Sequence, residues 1–319
     1  MRIEILALDG VFDLGLSAVL DVFQTANELI ATTELQVPPF DVRTIGLRKL
    51  VRTAHGLAVP VGAPAGRAPD CVLLPAIGYK TPGPLEAALR RPDVRDAAAL
   101  LQERARGGAA TAAACVGTFV LAESGLLDEE EATTTWWLAP LFRQRYPRVQ
   151  LDETRMIVRS GRSVTAGAAL GHLDLGLWLV RGTSPRLASL AAKYLIADSR
   201  PSQSVYALSD HLVHSDPIVE RFESWARSRL STGFSLESAA RASGASKRTL
   251  ARRLQRVLGR SPLAYFQSLR VEQAVHLLKT SGASLDDVAA RVGYADSGTL
   301  RALLRRRLNL GVREIRRNP

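Results

Sequence analysis

Apolar residues follow two alternating rhythms along the first 180 positions. Ile3 to Leu8 is a short apolar run closed by Asp9-Gly10. Leu16, Val19, Leu20, Phe23 and Ile30 then recur at helical spacing. Further short runs predict strands at Val42 to Ile45, Cys71 to Leu74 between two prolines, Ala110 to Ala114, Arg155 to Val158 and Ser163 to Ala166. Val94 to Arg106 and "LGHLDLGLWLVR" predict helices. Strands separated by helical segments predict an α/β fold: a mostly parallel sheet with helices on both faces. In such a sheet, ligands bind beyond the carboxyl ends of the strands.

The pattern changes after Val180. "SPRLASLAAKYLIAD" and "DPIVERFESWARSRLS" read as helices, the second with Ile218, Phe222, Trp225 and Leu230 on its apolar side. The polar stretch "SRPSQSVYALSDHLVHSD" between them reads as irregular. From Gly233 onward the pattern is helical and duplicated. "SLESAARASGASKRTLARRL" and "SLDDVAARVGYADSGTLRALL" share a Ser-Leu start, acidic residues suited to a helix N-terminus, a buried Ala, a turn Gly and a second apolar register. "SPLAYFQSLRVEQAVHLLKTSG" joins them, with Pro262 to start its helix and Gly282 to end it. The predicted organisation is an α/β domain over 1–180, a helical bridge over 181–232 and an all-α domain with two helix-turn-helix units over 233–319.

Charge gives the last part a partner. The 319 residues carry a formal net charge of +11, and residues 233–319 alone hold 17 Lys/Arg against 6 Asp/Glu. The entire excess lies in the duplicated segment, where arginines interleave with apolar positions. That pattern points to a polyanion. No stretch of about 20 apolar residues spans a membrane. Arg2 and Glu4 interrupt the opening apolar run, which reads as a strand rather than a leader. Cys71 and Cys115 are the only cysteines, so no disulfide framework is expected, and a cytoplasmic location is the default.

In each repeat, a small residue permits helix crossing (Ala240 in the first) and a glycine turns the chain. Leu250, Leu254 and Val257 face inward in the first copy. Lys247, Arg248, Arg252 and Gln255 are left outward, as a major-groove helix needs. This segment resembles the AraC/XylS-type DNA-binding domain, on "SLESAARASGASKRTLARRLQ", "GRSPLAYFQSLRVEQAVHLL" and "SLDDVAARVGYAD". The resemblance implies two helix-turn-helix units joined by a long helix. It places Arg248, Ala251 and Arg252 at base-reading positions of the first unit, and Ser297, Gly298 and Arg301 at those of the second. Base contact is thus expected from Arg248, Arg252, Ser297 and Arg301, with Arg252 and Arg301 leading. Phosphate contact is expected from Lys247, Arg253, Arg256, Arg305, Arg306 and Arg307. The end departs from the family pattern: Asn309, Gly311, Val312 and Ile315 stand where Gly, Ser, Pro and an aromatic are usual, and Leu304 stands where Phe is common. The final helix is still expected.

"AAACVGTFVLAESG" raises a separate question, whether Cys115 is a nucleophile at a strand-to-helix turn or a core residue beside a pocket. A nucleophile needs a lowered thiol pKa and usually a base. Residues from Met1 to about Val180 resemble the DJ-1/PfpI domain of the class I glutamine amidotransferase-like superfamily, most specifically through "CVGTFVLAESGLLDEEEATTTWW". The resemblance implies a cysteine in a tight turn after a strand. The helpers are replaced: Val116 stands where some enzymes of the superfamily have His, Thr135 stands where related regulators often carry His, and Gly15 stands near the usual thiol-supporting glutamate. No catalytic residue is therefore assigned. A pocket is expected from Asp9, Gly78, Cys115 and Val116, together with Thr135, Trp136 and Gly167. His211 and His214 lack a third metal ligand, so no metal and no cofactor is expected.

Together the two resemblances match the GlxA-type branch of AraC-family transcription regulators. They imply a sensor and dimerisation domain joined to a domain that binds double-stranded DNA, with a homodimer, a small-molecule effector and the transcription machinery as partners and no membrane. Many such proteins are activators and some repress. Two alternatives stand beside this reading: a cysteine-dependent hydrolase or hydratase with an accessory DNA-binding domain, and a nonspecific architectural DNA binder.

Overall fold

The computed structural model describes every residue except 65, 67, 199–201, 204–215, 309, 318 and 319, and the side chain of 317. The chain divides into two compact units, Met1–Gln203 and Ser204–Pro319.

The first unit holds β1 (Arg2–Leu6), β2 (Asp41–Ile45), β3 (Leu50–Arg52), β4 (Ala58–Pro60), β5 (Cys71–Leu74), β6 (Ala110–Ala114), β7 (Glu131–Ala132), β8 (Gln150–Leu151), β9 (Ile157–Ser160) and β10 (Ser163–Ala166). Six of these form one sheet in the order β2-β1-β5-β6-β10-β9. Every pairing in it is parallel except the hairpin of β10 with β9. The expected mostly parallel sheet is present. The β3–β4 and β7–β8 pairs lie outside the main sheet and have no clear sequence rhythm.

The helices of this unit are α1 (Asp13–Thr32), α2 (Pro82–Leu89), α3 (Pro92–Arg106), α4 (Gly117–Glu123), α5 (Ala139–Arg145), α6 (Gly171–Thr183) and α7 (Pro185–Tyr194). They cover both faces of the sheet. Successive strand residues point to opposite faces, and the two cores follow that alternation. Cys71, Leu73, Ala112 and Ala114 share one core with residues of α1, α6 and α7. Val72, Leu74 and Ala113 share the other with residues of α2, α3 and α4. Central parallel strands covered on both sides need continuous apolar runs, which is why all four residues of β5 are buried.

Glu4 is the exception in β1. It is buried, and its Oε2 lies 3.2 Å from Nε of the equally buried Arg104 on α3. A buried ion pair contributes little beyond apolar packing, but removing one partner leaves a charge out of water.

The second unit holds α8 (Pro217–Arg227), α9 (Leu236–Ala242), α10 (Lys247–Leu258), α11 (Pro262–Thr280), α12 (Leu285–Arg291), α13 (Ser297–Leu308) and α14 (Val312–Arg317). It is all-α among the described residues, as expected. Serine side chains cap α9, α10, α11 and α12, and Ser284 forms a reciprocal capping box with Asp287. Such caps contribute about 1 kcal/mol each. The final helix forms despite the altered residues around it, because Ile315 buries against the second helix-turn-helix core.

The described residues of 181–232 are divided between the two units. The apolar side of α7 (Leu187, Ala188 and Ala191) is buried in the first unit with α1 and α6. The apolar side of α8 (Val219, Phe222 and Ala226) is buried in the second unit against α9, α10 and α11. Each amphipathic helix buries its stripe in the nearer core, so the boundary falls at Gln203 rather than at 180 and 232.

Arg104→Met should lower the stability of the first unit by about 3–5 kcal/mol, because Glu4 is left buried without this partner. Chemical denaturation followed by far-UV circular dichroism reads the loss.

Candidate functional site

The turn between β6 and α4 is built on strain. Cys115 has φ 55°, the left-handed region that a side chain ordinarily avoids. Three hydrogen bonds hold it there. Its N–H donates to Ala166 O at 2.8 Å, and its carbonyl accepts from Thr134 Oγ1 at 2.7 Å and Thr118 N–H at 3.2 Å. Gly117 allows α4 to start this close to the sheet: a Cβ there would sit 2.5 Å from Leu74 O.

The electrostatics oppose a thiolate. Burial pushes the Cys115 thiol up to about 12, while the Val116 N–H, the Thr135 hydroxyl and the charge of Lys80 favour the thiolate too weakly to offset it. Cys71 is likewise pushed up to about 12 by burial. His172 is engaged at both ring nitrogens. Its Nε2 accepts from the Ala76 N–H at 3.0 Å, and Nδ1 lies 2.6 Å from Ala169 O, which makes Nδ1 the donor. Burial brings its pKa down to about 4. Gly15 leaves the room that this ring occupies, since a Cβ there would sit 2.6 Å from His172 Nε2. The expected absence of a glutamate at Gly15 thus has a structural counterpart: the volume belongs to a neutral imidazole.

The seven sequence-derived pocket residues fall into separate settings. Cys115, Val116 and Thr135 are all buried. Gly167 closes on the same region: its N–H donates to Met156 O at 2.8 Å, and a Cβ there would overlap the Gln203 amide. Trp136 is half-buried and meets Trp137 edge to face at 5.5 Å. Asp9 and Gly78 belong to the loops around Gly10. Asp9 Oδ1 accepts from the Arg52 N–H at 3.0 Å, and the Gly78 N–H donates to Gly10 O at 2.7 Å. Gln203 escaped the sequence reading because nothing in "RPSQSV" sets that glutamine apart. His211 and His214 lie outside the described residues.

The second unit presents its basic residues from two docked helices. Leu250, Leu254 and Val257 anchor α10, and Leu300, Leu303 and Leu304 anchor α13. Gly244 and Gly293 take φ of 65° and 81° at the turns, which lets each helix pair reverse direction. Arg248, Arg252 and Arg301 are exposed, and Ser297 is half-buried at the start of α13. Lys247 is exposed and lies 3.4 Å from Glu237; Arg305 and Arg306 are exposed on the last turn of α13. Arg307 is half-buried, and burial followed by repulsion from Arg260 lowers its pKa.

Two of the expected phosphate ligands, the half-buried Arg253 and the exposed Arg256, also pair with a carboxylate of the same unit. Arg253 Nη1 and Arg256 Nη2 lie 3.2 and 3.6 Å from Oδ2 of the buried Asp216. Asp216 also caps α8 by accepting from the Ile218 N–H at 3.0 Å. A helix face read from spacing alone cannot reveal this carboxylate, which arrives from a distant part of the chain.

A family model described as a helix-turn-helix domain matches residues 239–318. The HTH-type transcriptional regulator GbdR of Pseudomonas aeruginosa is 25% identical over 303 residues, covering 92% of this chain and 78% of the relative. This chain is a DNA-binding transcription regulator with a helix-turn-helix domain. The HTH-type transcriptional activator RhaS of Escherichia coli is 33% identical over 110 residues, covering 34% of this chain and 40% of RhaS. The solved structure of an AraC family transcriptional regulator from Pseudomonas putida matches with a TM-score of 0.51 and 21% identity, over 61% of this chain and 98% of that one. That likeness is one of fold. The regulator's first unit has the mostly parallel α/β sheet expected of it, and the helix-turn-helix domain follows it in the chain. No helix among the described residues is long and apolar enough to cross a membrane.

Two outcomes follow from the first-unit site. His172 is protonated in the unfolded chain near pH 6.5 but resists protonation in the folded one down to about 4, so its stabilising effect is full above 6.5 and is lost as pH falls towards 4. Wild type should therefore lose on the order of 3 kcal/mol more stability than His172→Gln across that window. Urea melts at stepped pH measure the difference. At pH 8 iodoacetamide should alkylate native Cys115 about a thousandfold more slowly than free cysteine, for want of thiolate, as mass spectrometry of timed samples would show.

Proposed function

We propose that the regulator reads specific DNA bases with Arg252 and Arg301, helped by Arg248 and Ser297, and acts as a homodimer whose first unit is a non-catalytic effector sensor. One observation carries the DNA reading: α10 and α13 each bury a leucine stripe and leave arginine exposed on the opposite side. Bidentate arginine on guanine is the commonest specific major-groove contact. Lys247, Arg305 and Arg306 supply phosphate contacts that fix register. Arg253 and Arg256 also join α10 to Asp216, and Arg256 stays exposed to meet a phosphate.

The sensor reading rests on the chemistry of the Cys115 turn. A thiol raised to about 12 and an imidazole lowered to about 4 supply neither a ready nucleophile nor a base at neutral pH. This disfavours a cysteine hydrolase or hydratase. A strained turn held by three hydrogen bonds at the end of a central strand remains suited to ligand recognition. Effector binding or dimer contact would act by changing the population of DNA-competent states.

Selection from a randomised duplex pool at stated salt should return one motif for the full-length wild type. Arg252→Ala and Arg301→Ala should each relax the preference at one base position by about 1–3 kcal/mol. If both variants weaken every sequence equally, these arginines contact phosphate and the assignment of base readers is wrong.

A further inference from the structure

Gln203 closes the first unit and is fully buried. Its backbone N–H donates to Thr154 O at 3.0 Å, and the neighbouring Ser202 hydroxyl donates to the same oxygen at 2.7 Å. From this anchor the side chain turns inward. Nε2 faces three acceptors: Thr134 O at 2.7 Å, Thr133 Oγ1 at 3.1 Å and Arg155 O at 3.3 Å. Thr133 Oγ1 spends its own hydrogen on Arg155 O at 3.0 Å, so it can only accept from the amide. Gly167 makes the space, because a Cβ there would overlap the amide group.

The fit is one-sided. Three acceptors converge on a group with two hydrogens, and Gln203 Oε1 is buried with no hydrogen-bond partner among the described residues. A buried acceptor without a donor is destabilising. The site therefore matches a donor-only nitrogen better than it matches the amide that fills it. It also adjoins the strained turn, since Thr134 accepts from Gln203 through its carbonyl and donates to Cys115 O through its hydroxyl.

We propose that Gln203 is a built-in occupant of a nitrogen-donor site, and that a small molecule carrying a primary –NH2 or –NH3⁺ group on a short stem displaces it. This deepens the sensor reading and rests on it for any effect on DNA. Gln203 is the last residue of the first unit, so its release frees the end that leads directly into residues 204–215 and the DNA-binding unit.

The test uses full-length Gln203→Ala with three probes of equal length: propylammonium, propionamide and propionate. At millimolar concentration propylammonium should raise its melting temperature by several degrees, propionamide by less, and propionate should not. If neither donor does so, or propionate does as much, there is no nitrogen-donor site. Should Gln203→Ala fail to fold, Gln203→Ser replaces it under the same criteria. In wild type, propylammonium should speed hydrogen exchange at the Gln203 backbone amide at least tenfold; unchanged protection would overturn displacement. Affinity of wild type for the selected DNA motif should change at least fivefold on adding propylammonium, and Gln203→Ala should show the changed affinity without it. A melting shift without a change in DNA affinity would sink the sensor reading and leave the site standing. Failure of wild type to select any motif would sink the base-reading assignment alone, because the melting shift needs no DNA.

Discussion

The left-handed backbone at Cys115 sets the terms for the first unit. Holding a side-chain residue in that conformation costs on the order of 1–3 kcal/mol, so the surroundings must over-determine it. They do so from three directions. β10 accepts the Cys115 N–H through Ala166, Thr134 donates to its carbonyl, and α4 packs so close to β5 that only glycine fits at position 117. The small residues of β6 let helices approach both faces of the sheet at this point. Once the turn is fixed, the fates of Thr133 to Thr135 and Gly167 follow, because the same hydrogen bonds that hold the turn position these segments. The turn keeps the geometry of a nucleophile's elbow while burial withholds the charge that a nucleophile needs.

A different constraint organises the second unit. The helix α11 is shared, with Tyr265, Phe266 and Leu269 in one core and Val271, Ala274 and Leu278 in the other. Arg270 stands at the junction. Its guanidinium lies over the rings of Phe266 and Tyr294 at 4.8 and 5.2 Å and donates to Leu230 O at 2.9 Å. Gly293 is required there, since a Cβ would collide with Arg270 and with Leu230 O. The two helix-turn-helix units are thereby set against one another through a single helix. Two such units entering successive major grooves on one face of DNA would lie about 34 Å apart. Asp216 extends the same principle to α8, pairing with Arg253 and Arg256 of α10, while Arg248 and Arg252 of the same helix face solvent.

The sequence by itself determined the parts of this regulator that depend on local periodicity and chain-wide charge. Period-two apolar runs, period-3.6 stripes and serine caps are properties of neighbouring residues. Strands such as Cys71–Leu74, Ala110–Ala114 and Ser163–Ala166 therefore emerged with their full boundaries. The duplicated helix-turn-helix and its basic excess were equally plain, because each repeat carries its own core, turn and cap. The tertiary structure alone decided contacts between residues far apart in the chain. It placed His172 in the space beside Gly15, turned Arg253 and Arg256 towards Asp216, divided the supposed bridge between two cores and set the Gln203 amide against Gly167. None of these leaves a periodic trace, since each pairs a single polar or small residue with a partner brought near only by folding. Local pattern tells a chain where to be helix, strand or turn; which polar group meets which is fixed only when the layers close and every buried donor and acceptor must find what is within reach.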